Sequence, residues 1–492
     1  MREVLTLQLG NLSNYTATHF WNAQESYFTY DGEKESPVDH NVHWRAGIAA
    51  DGSDTFLPRT VVYDLKGGFG SMRKVNSLYD EASDSTVAAG SLWPGPSTVY
   101  KQPPMKPSAY QDSLDAVTEP TPLTTSTVRY WSDFSRVYFH PKSLVQLYDF
   151  ELHSSIRPFE KFAMGTELFT SLDKEHDIID RDWRPFVEEC DLMQGMQVFT
   201  TLDDAWGGFA SSYLEELRDE FPKSCIWVWG AQSPTNDITR EKRQLRLANV
   251  AQSIHRACAY ASMLIPLALP ETSLSPQVEL DSSSPWHISA MFAALSECAL
   301  TPSRLKSNCG QASVSDLAEA LNTNANQTLA SAAIGPLPDA KNNDDNIKDI
   351  NLFQIGQAGN GNKSKRERLF GRITGYRGPL LEQTRTDPTS DEPQRQIIEN
   401  PVTRSYSTAL QFPLLNSYPH IFTRATGQTD IPVRTILKTD TAISTRMKTL
   451  RSQATHLIGL DEREMLSNGI AEIADAYQDD WSSGSDEDDD NS

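Results

Sequence analysis

The chain has 492 residues, a hydrophobic content of 38% and a formal net charge of −22 at pH 7. That length accommodates two or three domains and a large core, and the acidic balance argues against a surface built to bind nucleic acid. Five dispersed cysteines, Cys190, Cys225, Cys258, Cys298 and Cys309, form no CxxC pair. They point to a reducing compartment without a disulfide framework. His40 and His43 make an isolated HxxH, expected to be surface imidazoles, so no metal site is expected. The opening residues carry no signal pattern. The longest apolar run, Ala257 to Leu269, is about half a membrane span and is expected as a buried helix. Any membrane association would be peripheral or through a partner.

Val4, Leu5, Leu7 and Leu9 predict an opening strand, Gly10 to Asn14 a turn, and Ala17 to Asn22 a helix. Thr60 to Leu65 reads as a buried strand, followed by Gly67, Gly68 and Gly70. Ser91 to Pro122 holds seven prolines and reads as a long connection. In the segment from Val128 to Leu147, Trp131, Asp133, Arg136 and His140 either cluster chemically or form a packed aromatic segment with a local Asp–Arg pair. The packed reading is the expectation. Asp180 to Met193 is expected as a helix.

The stretch from Cys190 to Gly230 organises the rest. Met196, Val198 and Leu202 predict a half-buried strand, and Asp203 to Gly208 a turn. Phe209, Tyr213, Leu217 and Phe221 share one helical face, and Cys225 to Trp229 is a second strand. Strand, glycine turn, helix and strand make a βαβ unit, whose turn commonly binds phosphate. The turn is poorly suited to it. Gly207 and Gly208 are present, but Asp203, Asp204 and Trp206 stand beside them. One aspartate can instead cap the helix.

Leu245 to Leu269 is expected to be helical in part, and Trp286 to Leu300 an apolar helix. Residues 335–400 read as a mobile insertion rich in Asn, Asp and Gly. Within it Lys363, Lys365, Arg366, Arg368 and Arg372 form a basic cluster, either a solvated loop or a contact for acidic lipid or an acidic tail. Ile443 to Leu460 and Glu462 to Tyr477 suggest two amphipathic helices. Asp479 to Ser492, with seven acids and no base, reads as a disordered tail in which Ser485 is a candidate phosphorylation site.

Several motifs carry a family resemblance. Met1-Arg2-Glu3, Gln8, Gly10, Asn14, Phe20 and Trp21 align without gaps on the start of tubulins. Pro58-Arg59 with Asp64-Leu65, Gln194-Gly195 with Gln197 and Leu202, and Asn249 in LANVAQS are similar to further tubulin motifs. The WSDF run at Trp131 to Phe134, the proline belt and the long insertion resemble the Misato family of tubulin-like proteins. The resemblance implies an α/β, tubulin-like, nucleotide-binding-type domain with a mostly parallel sheet, a second α+β domain, a helical C-terminal segment and a disordered acidic tail. The expected divisions are a Misato segment II-type unit at 1–115, a tubulin-like domain at 123–310, the insertion at 335–400, a C-terminal region at 401–477 and the tail at 478–492.

Set against that family, the nucleotide site is altered. Positions matching tubulin's glycine-rich phosphate loop are Asp203, Asp204, Ala205 and Trp206, ahead of Gly207 and Gly208. One carboxylate at ~5 Å from one phosphate charge costs about 3 kcal/mol at an effective dielectric of ~20, roughly a hundredfold in affinity. Asp64 is kept, but Lys66 stands where tubulins carry a glutamate that orders magnesium. Asn11, Leu12 and Ser13 replace smaller or different residues in the first loop, and Trp286 falls near a base-reading Asn. Gly10, Asn11, Asn14, Asp64, Asp203, Asp204, Trp206, Gly207, Gly208 and Asn249 are therefore expected as vestigial nucleotide-site positions. Asp316 and Glu319, three apart, match the pair that tubulins present to a neighbour's nucleotide. No catalytic residue and no cofactor are expected, GTP being the ligand an intact site would take.

The resemblance implies a scaffold in partitioning of mitochondria and inheritance of mitochondrial DNA. Its place would be the outer, cytosol-facing surface of the mitochondrion and the cytoplasm. Expected partners are mitochondrial-surface or cytoskeletal proteins, with tubulin and chaperonin among them, and no nucleic acid directly. The alternatives are a GTP-binding filament-forming protein with weak hydrolysis and a tubulin-assembly chaperone or cofactor.

Overall fold

A computed structural model describes residues 2–29, 35–48, 54–72, 105–235, 238–271, 278–306, 310–337, 349–356, 367–379, 401–423 and 427–478. The first half contains β1 (Glu3–Leu9), α1 (Asn11–Glu25), β2 (Trp44–Ile48), β3 (Asp54–Pro58), β4 (Thr60–Lys66), α2 (Ala109–Asp115) and β5 (Leu144–Glu151). It continues with α3 (Phe162–His176), α4 (Arg184–Glu188), β6 (Met193–Thr201), α5 (Ala205–Glu220), β7 (Ile226–Ala231), α6 (Arg240–Tyr260) and β8 (Met263–Leu267). The second half contains α7 (Pro285–Ala299), α8 (Val314–Leu321), β9 (Ser331–Pro336), β10 (Ile350–Asn351), β11 (Leu369–Arg377) and β12 (Val402–Thr408). Last come β13 (Phe412–Pro413), β14 (Asp430–Ile431), β15 (Val433–Asp440), α9 (Thr441–Ala454) and α10 (Leu460–Asp475).

Six strands form a sheet in the order β5-β4-β1-β6-β7-β8, every pair parallel. Its inner strands are apolar on both sides because helices cover both faces. Val4, Phe199, Trp227 and Trp229 pack toward α1 and α7. Leu5, Leu7, Met196 and Val198 pack toward α3, α5 and α6. The expected half-buried strand at 196–202 is thus buried on both faces, its polar positions Gln197, Thr200 and Thr201 included. The unit β6-α5-β7 is the βαβ unit read from the sequence.

A second sheet has the order β10-β9-β15-β11-β12, with β11 and β12 parallel and the remaining pairs antiparallel. Helix α7 lies between the two sheets, packed on α1 on one side and on β15, β11 and β9 on the other. Its residues from Ile288 to Ala299 are all buried, as a helix with apolar residues all round requires. Helices α9 and α10 form the expected C-terminal hairpin and pack on α6.

Several expectations are corrected. The turn at Gly10 to Asn14 is the first turn of α1, which starts directly after Gly10 at φ +91°. Ala109 to Asp115 is helical inside the proline belt, started by the Ser108 side chain accepting from Gln111 N–H. Asp180 to Met193 is a π-helical turn, a short α4 and the start of β6. The apolar run Ala257 to Leu269 is the end of α6 and then β8, because two short elements in sequence imitate one long helix. Within the expected insertion 335–400, β10 and β11 belong to the second sheet, β11 in its interior. His43 is not at the surface but 2% exposed, and His40 is half-buried. Lys363, Lys365 and Arg366 and the acidic tail at 479–492 with Ser485 lie outside the described residues.

Candidate functional site

In a parallel sheet, ligands settle beyond the carboxyl ends of the strands where the strand order reverses. Here the reversal lies between β1, which leads to β4 on one side, and β6 on the other. Gly10 ends β1, and Asp203 to Trp206 follow β6, so the sequence-derived residues do meet at this point.

Trp206 occupies it. A Cβ built on Gly10 would lie 2.6 Å from Trp206 Cδ1, so the indole rests directly on the glycine. The ring is 3% exposed and packs edge-on against Phe159 at 5.4 Å and Phe209 at 5.5 Å. Asp204 caps α5: its Oδ1 accepts from Trp206 N–H at 2.9 Å and from the Thr201 hydroxyl. Burial, with Asp203 beside it, pushes the Asp204 carboxyl up to about 7. Asp203 Oδ2 accepts from Ser233 N–H at 3.0 Å and faces Arg246 Nε at 3.6 Å, while burial raises its pKa as well.

The glycines have another use. Gly207 and Gly208 lie inside α5 rather than in the preceding turn. A Cβ on Gly208 would overlap the Phe162 carbonyl, and one on Gly165 of α3 would overlap the Ala205 carbonyl. A Cβ on Gly207 would overlap Ser253 Oγ of α6. These glycines let α5 lie against α3 and α6 at backbone distance. Asn249 joins the same three helices. Its Oδ1 accepts from Phe162 N–H at 3.1 Å, satisfying the start of α3, and its Nδ2 donates to Glu160 O at 2.6 Å and Asp203 O at 3.0 Å.

Asp64 at the end of β4 is fully buried. Its carboxylate accepts from Asn14 Nδ2 at 2.9 Å, Trp131 Nε1 at 3.0 Å and Leu65 N–H at 2.9 Å. Burial pushes its pKa up to about 6, with the three donors pulling the other way. Lys66, two residues on, is exposed, and Asn11 is half-buried at the first position of α1. The residues present therefore fit a phosphate poorly: an indole covers the glycine, and the acids and amides already bond to one another. Among the described residues no group of three His, Cys, Asp or Glu is placed to hold a metal ion.

Other candidates lie elsewhere. Val314 N–H at the start of α8 donates to Gln194 Oε1 at 2.7 Å, which puts Asp316 and Glu319 at the amino end of β6, opposite Trp206. Both are exposed, and Asp316 completes a capping box with Ser313, whose donors hold its carboxyl below the usual range. Trp286 is buried in the first turn of α7, its Nε1 donating to Ser417 O at 3.2 Å. Trp131, Asp133, Arg136 and His140 do not converge. Asp133 bonds Arg129 rather than Arg136, and Arg136 bonds Glu25 and Asn416.

Sequence reading missed Trp131 and Asn14 as partners of Asp64, which only the folded chain brings together. It also missed Gly165, although a glycine inside a helical pattern is itself a signal of close approach. The basic run Arg240, Lys242, Arg243 and Arg246 at the start of α6 went unread too. Lys242 pairs with Glu160 at 2.9 Å, and Arg243 and Arg246 line a cleft of about 570 Å³ beside Asp203.

Residues 2–116 match the Misato Segment II tubulin-like domain, and residues 120–305 match a Tubulin domain. The chain is similar to Protein DML1 of Gibberella zeae, with 56% identity over all of both chains. It is 44% identical to Protein dml-1 of Neurospora crassa, again over all of both chains. It is 35% identical to Protein dml1 of Schizosaccharomyces pombe over 48% of this chain and 52% of that one. Among the described residues no helix is long and apolar enough to cross a membrane.

Proposed function

We propose that this chain, which belongs to the Misato family of tubulin-like proteins, is a scaffold for partitioning mitochondria and inheriting mitochondrial DNA, without efficient GTPase activity. The observation that carries the non-catalytic part is the Trp206 indole seated on Gly10. A polyphosphate entering there must displace a buried tryptophan and approach Asp203 and Asp204. It would find Lys66 where magnesium needs a carboxylate. With no nucleotide to turn over, the fold offers surfaces: α8 with its exposed acids and the outer face of the α9–α10 hairpin. The mitochondrial role rests on the family resemblance. The protein acts at the cytosol-facing mitochondrial surface and in the cytoplasm, through mitochondrial-surface or cytoskeletal proteins.

Two measurements test this reading. Purified protein titrated with labelled GTP, with and without magnesium, is expected to show no magnesium-dependent binding in the micromolar range and no phosphate release. Micromolar, magnesium-dependent binding would instead support the filament-forming GTP binder. Depletion in cells is expected to fragment or missegregate mitochondria and their DNA. Normal mitochondria together with recovery of tubulin or chaperonin on the tagged protein would support the tubulin-assembly cofactor.

A further inference from the structure

Helix α7 carries a buried carboxylate with two guanidiniums. Glu297 is bonded by Arg304 Nη2 and by Arg377 Nη1, and all three side chains are at most 1% exposed. Tyr27, Gln24 and the Cys298 thiol also face Glu297 as neutral donors at 2.8, 3.2 and 3.5 Å. Glu297 is the one anion paired with these two cations among the described residues, which leaves one positive charge unbalanced there. A buried charge without a counter-charge is among the most costly arrangements in a protein interior.

The polar groups nearby are short of acceptors in the same sense. Arg304 Nε and Nη1, both ring nitrogens of His43, Trp21 Nε1 and Trp227 Nε1 are buried without a hydrogen-bond partner among the described residues, as are both amide atoms of Gln197. Five of these six nitrogens outside Gln197 donate whichever tautomer His43 adopts. Arg304, His43 and Trp21 gather around one ring. Phe20 lies 5.3 Å from His43, 5.2 Å from Trp21 and 5.8 Å from Phe199, and the Arg304 guanidinium stands 5.6 Å from its centre. Gln197 precedes Phe199 by two on the same face of β6, and Trp227 is its cross-strand neighbour on β7. Burial and the charge of Arg304 both hold His43 neutral.

We propose that this cluster binds a small monovalent anion of chloride size, held by Arg304 with His43, Trp21 and the Gln197 amide. Buried polar groups in folded proteins almost always have partners. Water would satisfy the donors but would leave the positive charge unbalanced, whereas a halide does both. The site joins α1, α7 and the strands β6 and β7, and through Glu297 and Arg377 it reaches β11 of the second sheet. The anion would thereby fasten the two sheets to each other.

The test uses the full chain in potassium chloride, potassium bromide and potassium gluconate at matched ionic strength, gluconate being too large to enter. The thermal midpoint is expected to be higher in both halides by about 2 °C or more. Arg304→Met is expected to abolish the difference. Crystals grown in bromide should show an anomalous peak within hydrogen-bonding distance of Arg304 Nε or Nη1, which decides the matter even if the variant does not fold. Equal midpoints in all three salts, or water alone at that position, would overturn the proposal.

Discussion

The two ends of β6 carry the same kind of residue in opposite circumstances. At its carboxyl end, Asp203, Asn249 and Trp206 are buried and Asp204 is half-buried, and they are bonded to one another or to neighbouring backbone. At its amino end, Asp316 and Glu319 are exposed on α8, and Asp316 is engaged locally in the capping box. An acid that holds the fold together is not free for chemistry, while an exposed acid is available to a partner. The difference teaches that resemblance of residues at a site does not by itself carry over their use.

The contrast can be broken most severely at the buried end. Trp206→Ala empties the space over Gly10 and is expected to destabilise the chain by about 3–5 kcal/mol, measured by urea unfolding. A loss under about 1 kcal/mol would mean that the indole does not hold this end closed. Gly208→Ala sets a methyl group against the Phe162 carbonyl and is expected to cost about 1–3 kcal/mol or more. Here the check is the same denaturation curve, with helix content followed by circular dichroism.

Asp64→Asn turns an amide N–H₂ toward donors and is expected to cost about 1–3 kcal/mol. Asp204→Asn keeps a competent helix cap, so its effect depends on pH. The Asp204 pKa is raised in the folded protein, so its contribution is fully present below the ordinary carboxylate value of 3.8 and is lost as pH rises through about 7. The variant is therefore expected to match the parent near pH 4 and to gain on it by about 1 kcal/mol or more at pH 8. Unfolding curves at the two pH values give the comparison, and a constant difference between them would refute it. Mildest of all, Glu319→Ala at the open end is expected to change stability by less than about 0.5 kcal/mol. If Glu319 meets a partner, the same substitution should show in pull-down yield instead.

Much of the fold was legible because periodicity reports burial. The face Phe209, Tyr213 and Leu217 and the strands around it were read correctly from spacing alone, as were α7 and the C-terminal hairpin. Three things were not. Gly207 and Gly208 look the same to the eye whether glycine serves a phosphate turn or a tight helix crossing, and only the position of α3 distinguishes them. The run from Ala257 to Leu269 contains no break between helix and strand that composition could reveal. Strand β11 does not alternate cleanly, its buried positions being Phe370, Gly371, Ile373, Thr374 and Arg377, and polar sequence on either side dilutes any window placed across it. At the site, the departures Asp203, Asp204 and Trp206 were visible, whereas the bond from Trp131 to Asp64 joins residues 67 apart and leaves no local trace.

Helix α7 has one more consequence, for the way the chain is made. It is complete at Ala299, yet the strands that cover its second face end only at Asp440. At ordinary rates of synthesis the interval lasts roughly ten to thirty seconds. During that time an apolar cylinder has one side against the newly folded first sheet and the other bare. A ribosome stalled in this window would display an apolar helix face that the finished fold conceals, and its later concealment ends the hazard.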